Sequence, residues 1–287
     1  MGSTDMNRLA ITARDRAYLR DYIKFGLMNH VVAAEALRSA YQHADGAAAT
    51  VRQLLERVDK ATAADMAGQL NDAARVQTIV VARLMSEYAA AIEDLAGMMD
   101  AVRDRSAGVM SRYFTSTPAE TGAMLQELEG SVDLPALLGL PSVDEQRGAI
   151  GDEALEALEH TYGVFTEHLR SVATAARQEG PAGVPVGLGD LELDRLALVL
   201  GIGDAGTKGP RGLLFQAHNK IKHRFMVIED IATVGATPGD PVRFGHLPRD
   251  QAMVMRLVGN IAQVALSTGE LAALLLMLDQ AAGAGAE

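Results

Sequence analysis

The stretch from Met66 to Ser106, MAGQLNDAARVQTIVVARLMSEYAAAIEDLAGMMDAVRDRS, decides the fold. Its apolar series Leu70, Ala73, Val80, Leu84, Tyr88, Ala91, Leu95, Met98 and Val102 stays close to a seven-residue repeat. That spacing lines one side of a long α-helix and gives it a coiled-coil-like seam. A helix over 61–106 is expected, closed by Ser106-Ala107-Gly108.

Upstream, Leu19, Ile23, Gly26, Leu27, Val31, Ala34, Leu37 and Tyr41 recur at three- and four-residue steps. They predict a helix over 12–45, stopped by Gly46, and a short helix over 47–60 leads into the long one. Downstream, Pro118, Gly122, Gly130, Pro135, Gly139 and Pro141 punctuate 108–141 and leave room for short helices at 119–128 and 134–138. The stripe Leu155, Leu158, Tyr162, Phe165, Leu169, Val172 and Ala176 predicts a third long helix over 143–178. A Pro/Gly loop over 180–189 and a short helix over 190–200 follow. A last helix over 250–279 starts after Pro248 and buries Met253, Leu257, Ile261, Val264, Thr268, Leu271, Leu275 and Leu278.

Each stripe needs another helix to cover it, so the expected fold is all-α, an antiparallel bundle whose irregular gaps 13 methionines fill. The only strands expected form a short hairpin within 225–245, pairing Phe225–Glu229 with Val242–Gly245. Three parts are read: a long-helix hairpin over 8–107, a connector over 108–141, and a C-terminal helical part over 142–287.

Across its 287 residues the chain has no cysteine and a net charge of −11. Disulfides, thiolate metal sites and a cysteine nucleophile are therefore excluded. The acidity argues against a surface that coats nucleic acid or anionic lipid. The first residues hold no apolar leader, and the longest purely apolar run, Leu271 to Leu278, is too short to cross a bilayer. A cytoplasmic protein with no membrane partner is expected, and the Ala-, Gly-, Arg- and Asp-rich composition suits a high-GC bacterium. The long seam and the Met98-Met99 pair predict surplus apolar surface and a homo-oligomer, read as a dimer.

The most unusual segment is Thr207–Arg224, where Lys208, Arg211, Lys220, Lys222 and Arg224 give +5 with no acid among them. On a helix, Leu214, Ala217, Ile221 and Phe225 make the buried stripe, and Arg211, His218 and Lys222 line its border. Asn219 lies further round and His223 points away from the core. Two imidazoles on a cationic edge suit phosphate binding and proton transfer near neutral pH. The alternative is a solvated or docked basic face, because Thr117–His160 carries ten acids against Arg147 alone.

The string His218-Asn219-Lys220-Ile221-Lys222-His223 resembles the Arg-Asn-x-x-x-His motif of the HEPN superfamily, small helical bundles of bacterial toxin and antiviral systems. Asn219 and His223 match, with His218 at the arginine position; a second alignment uses Arg211 and His218. The resemblance implies a dimeric, metal-independent ribonuclease. His223 would be catalytic, His218 or Arg211 would bind or protonate the phosphate, and Asn219 would orient it. Lys208, Lys220, Lys222 and Arg224 would hold the backbone of RNA or another phosphate-bearing ligand, with no cofactor. The competing reading is a non-enzymatic scaffold or assembly subunit that acts through contacts with another protein, which the low aromatic content favours over base stacking.

Other motifs carry less. Gly201-Ile202-Gly203-Asp204-Ala205-Gly206 fits a dinucleotide fingerprint but lacks the parallel sheet that gives such a loop its function. Glu156, Glu159, His160, Glu167 and His168 lie off the apolar stripe and read as solvated, with no metal site. His30 lies on the apolar side of the first helix and reads as a hydrogen-bonded core residue.

Overall fold

Side-chain caps set where helices begin. Thr12 accepts the Asp15 N–H on its hydroxyl oxygen at 3.0 Å, and the Asp15 carboxylate accepts the Thr12 hydroxyl at 2.8 Å and its N–H at 3.3 Å. This reciprocal box satisfies two N–H groups that the first helical turn would leave unpaired. Thr117 with Glu120 and Ser142 with Glu145 repeat it, and Asp59 takes the Thr62 N–H at 2.9 Å.

The computed structural model describes residues 11–130, 133–147, 151–177 and 251–284. Among them the elements are α1 (Ala13–Asp21), a π-helical turn (Tyr22–Gly26), α2 (Leu27–Leu55), α3 (Lys60–Arg103), α4 (Val109–Thr115) and α5 (Pro118–Gly130). They continue with α6 (Leu134–Leu137), α7 (Val143–Gln146), α8 (Asp152–Arg177) and α9 (Gln251–Ala284). The fold is an all-α helical bundle, and no strand occurs among the described residues. The expected hairpin within 225–245 and the short helix over 190–200 lie outside those residues.

Four boundaries differ from the sequence expectation. Gly46 does not stop α2, because the buried series Ala34, Tyr41, Ala44, Ala48 and Val51 runs through it. That burial outweighs the roughly 1 kcal/mol that an interior helical glycine costs. The first helix is instead interrupted at Tyr22–Gly26 by the π-turn. The helix expected over 143–178 is divided after Gln146, where Arg147 turns to an extended conformation and α8 restarts at Asp152. The short α4 was not expected at all. Its N-cap, Gly108, has φ +94° and no side chain. The cap comes from Asp15, whose carboxylate accepts the Met110 N–H at 3.1 Å. A Cβ on Gly108 would stand 3.2 Å from that carboxylate, so glycine is required both by the backbone and by its neighbour.

Contacts divide the chain into two compact units, one of Met1–His30, Ala91–Thr174 and Ala262–Glu287, the other of Val31–Ala90 and Ala175–Ile261. In the first, Leu19, Ile92, Leu95, Met98, Met99, Val102, Met124, Leu138, Phe165, Leu271 and Leu275 form the core. Met98 and Met99, read above as surplus surface for a dimer, are both fully buried within the chain. Asp100 is buried beside them and accepts Arg112 at 2.7 Å, the Ser116 hydroxyl at 3.1 Å and Arg103 at 3.3 Å, which fastens α3 to α4. Arg16 pairs with Asp279 at 2.7 Å and ties α1 to α9.

In the second unit, Tyr41, Val51, Val80, Val81, Leu84, Met85, Tyr88, Met253, Leu257 and Ile261 are buried. The Gln77 amide donates to Asp45 at 3.2 Å across the antiparallel α2–α3 pair. By length and composition Gln251–Gln280 is apolar enough to cross a membrane, while its longest purely apolar run is the eight residues Leu271–Leu278. Two-thirds of its most apolar window is buried inside the protein, the environment of a core helix.

Candidate functional site

The π-turn exists around a close approach. The Tyr22 ring lies over Gly26, where an added Cβ would stand 2.7 Å from it. No other residue type leaves that space, and π-turns recur at functional sites because they re-aim side chains. Here Tyr22 is aimed at α4: its ring meets Tyr113 edge-on at 5.9 Å between centroids. Tyr113 in turn rests on Gly97 of α3, at ordinary van der Waals distance from where a Cβ would sit.

A carboxylate lies at the centre. Asp94 receives a hydrogen bond from the Tyr113 hydroxyl, which also bonds Tyr22, and its Oδ2 lies 2.9 Å from His30 Nε2. The imidazole is nearly buried, while the Asp94 side chain is 39% exposed, so the cluster reaches the surface through its carboxylate. Burial, reinforced by the Asp94 charge, pushes both the Tyr113 and Tyr22 phenols well above their ordinary range. Both rings therefore act as neutral donors and not as bases. Asp94 orients His30, as a carboxylate orients an imidazole in many proton-transfer sites.

The elements that carry this cluster also expose apolar side chains. Phe114, 5.3 Å from the Tyr113 ring, is 71% exposed, and Phe25 in the π-turn is 68% exposed. Met28 and Tyr18 are exposed on the flanking helices, with the Arg14 guanidinium 5.5 Å from the Tyr18 ring centre. All these residues belong to the first unit.

A second feature of that unit is a cleft of about 530 Å³ lined by Val143, Glu159, Tyr162, Gly163, Thr166 and Glu167. The buried Tyr162 donates to the Pro141 carbonyl at 2.8 Å, which fixes the chain before α7 against α8. Glu156, Glu159, His160 and Glu167 are exposed, as the sequence led us to expect, and the side chain of His168 is outside the described set. No group of three or more His, Asp or Glu placed to hold a metal occurs among the described residues.

The residues singled out for phosphate chemistry, Lys208, Arg211, His218, Asn219, Lys220, Lys222, His223 and Arg224, all lie outside the described residues. His30 is the hydrogen-bonded residue its position predicted. Tyr22, Asp94 and Tyr113 were missed. The available signal was Tyr22 one turn before Gly26, since a glycine on the apolar side of a helix marks a close packing partner. No protein-family model, curated protein or solved structure matches this chain.

Proposed function

We propose that this chain is a non-enzymatic helical interaction subunit that engages a protein partner through the face built by α1, the π-turn and α4. The observation that carries this reading is the exposure of Phe25 and Phe114, each about 70%, on the elements that carry a hydrogen-bonded polar cluster. The chain has only six phenylalanines and six tyrosines, and three of the twelve, Tyr18, Phe25 and Phe114, are exposed on α1, the π-turn and α4, with Met28 exposed at the start of α2. Exposed aromatics and methionine over a rigid floor are the composition of an interface core. The Tyr22–Tyr113–Asp94–His30 network holds that floor in one geometry, so little ordering is lost when a partner docks.

Replacing both Phe25 and Met28 by serine tests the reading. In cell extract the parent chain is expected to migrate well above its 30.4 kDa, and the variant at its own mass with unchanged helical content. Identical migration of both at the monomer mass would remove the proposal.

A second reading follows the +5 charge of Thr207–Arg224 and its HEPN-like string. It makes the chain an RNA-binding protein, or a metal-independent ribonuclease of defence type, with His223, His218, Asn219 and Arg211 at the phosphate. RNA cleavage that survives His218→Ala with His223→Ala would dismiss the nuclease. Binding that falls steeply with salt, and less steeply after Lys220→Ala with Lys222→Ala, would support the phosphate grip.

A further inference from the structure

The exposed face is not only apolar. Along α1 and the π-turn, Arg14, Arg20 and Lys24 are exposed beside Tyr18 and Phe25. The acids of Ala13–Gly26 are Asp21 and the buried Asp15. This is a cationic, aromatic strip on a chain of net charge −11. An occupant that suits it is acidic, offers a recess for a ring, and is itself unsatisfied at its surface.

The same chain carries such a surface. From Asp152 to Glu167, α8 exposes five carboxylates with no lysine or arginine among them. Glu159 and Glu167 stand one turn before and one turn after Gly163, where an added Cβ would meet nothing within 4 Å. The floor of the 530 Å³ cleft is therefore open between two acids. An aromatic side chain can enter over Gly163 while neighbouring cations meet Glu159 and Glu167.

Resting on the interaction reading above, we infer that the partner is a second copy of this chain, with the α1/π-turn strip of one copy seated on the acidic α8 face of the other. Complementary charge would select and orient the encounter, and the buried Phe25 ring would hold it. Made reciprocally, the contact closes a two-fold dimer; made head to tail, it grows a chain of copies. An anionic lipid surface is the weaker fit, because the whole protein would be repelled from it.

Charge exchange followed by sedimentation tests this on the full-length chain. The parent self-associates at micromolar concentration, and added salt weakens that association by roughly tenfold or more. Arg20→Glu with Lys24→Glu faces acid with acid, and Glu159→Lys with Glu167→Lys faces base with base, so each variant alone is monomeric. Mixed, the two variants form heteromers, since each strip again meets an opposite face. Phe25→Ser alone weakens association without loss of helical content. A monomeric parent, or association that both charge variants leave unchanged, overturns the inference. So does recruitment to anionic vesicles that depends on Arg20 and Lys24 in a parent that stays monomeric. A monomeric parent that still forms a larger complex in extract overturns this partner alone and leaves the interaction reading standing.

Discussion

Tyr88 and Tyr113 are both largely buried, and they sit in opposite kinds of surroundings. Tyr88, on α3 in the second unit, is 1% exposed and its hydroxyl has no hydrogen-bond partner among the described residues. Tyr113, on α4 in the first unit, bonds both Asp94 and Tyr22. Around Tyr88 the packing is apolar and tolerates one orphaned oxygen because the ring fills its space. Around Tyr113 polar groups hold one another in place while Phe25 and Phe114 are left in solvent. One region is organised for folding. The other inverts the usual placement of polar and apolar groups, which is the arrangement of a surface that meets something else.

The largest effect that separates them is at Asp15, which boxes α1 and caps α4 from a distance. Asp15→Ala strands the Met110 N–H and removes the α1 capping box, and should destabilise the fold by about 3 kcal/mol in denaturant titration. A loss below about 1 kcal/mol would mean that α4 is held by packing alone. Gly26→Ala comes next. The methyl group collides with a Tyr22 ring that Tyr113 prevents from swinging away, so about 2 kcal/mol is lost despite alanine's better helix propensity. The same change at the open Gly46 should stabilise, by roughly 1 kcal/mol or less.

Hydroxyl removal is the smallest change and should differ in sign. Tyr113→Phe leaves Asp94 short of a donor and costs about 1 kcal/mol, whereas Tyr88→Phe removes an unpaired buried oxygen and gains up to about 1 kcal/mol. Equal effects at the two positions would erase the distinction. Their titration is shared: burial raises the phenols of Tyr22, Tyr88, Tyr113 and Tyr162 above the ordinary value of 10. The stability held in those neutral rings is complete below that pH and is lost as pH rises beyond it. Phenolate absorbance from these four should therefore grow together with the loss of helical signal. Four phenolates forming while the helices stay intact would contradict their burial.

How much the sequence told follows the same division. The α3 seam was legible because Leu84, Tyr88, Ala91, Leu95, Met98 and Val102 repeat locally and are all buried as the repeat requires. The first helix was legible as a helix but not as an interrupted one. A π-turn shifts the phase by one residue, and the stripe through Leu19, Ile23 and Gly26 fits either geometry. The capping boxes at Thr12, Thr117 and Ser142 were present as Ser/Thr followed three residues later by an acid, and would have placed three helix starts. Helix α4 had no such signal, because its cap is supplied from 95 residues away. The His30–Asp94 pair spans 64 residues and joins two helices, so neither helix alone announces it. Periodicity reports what a helix buries and is silent on which distant side chains meet.

The most direct measurement places a photo-reactive amino acid at position 25 and, as control, at the exposed Gln42 in living cells. If the π-turn face is the working surface, position 25 gives a discrete protein adduct and Gln42 gives none. An adduct of twice the chain mass identifies the second copy, and an adduct of another mass identifies a different protein. Equal, diffuse labelling at both positions, with no discrete adduct at 25, would contradict the claim that this exposed aromatic face is a binding surface.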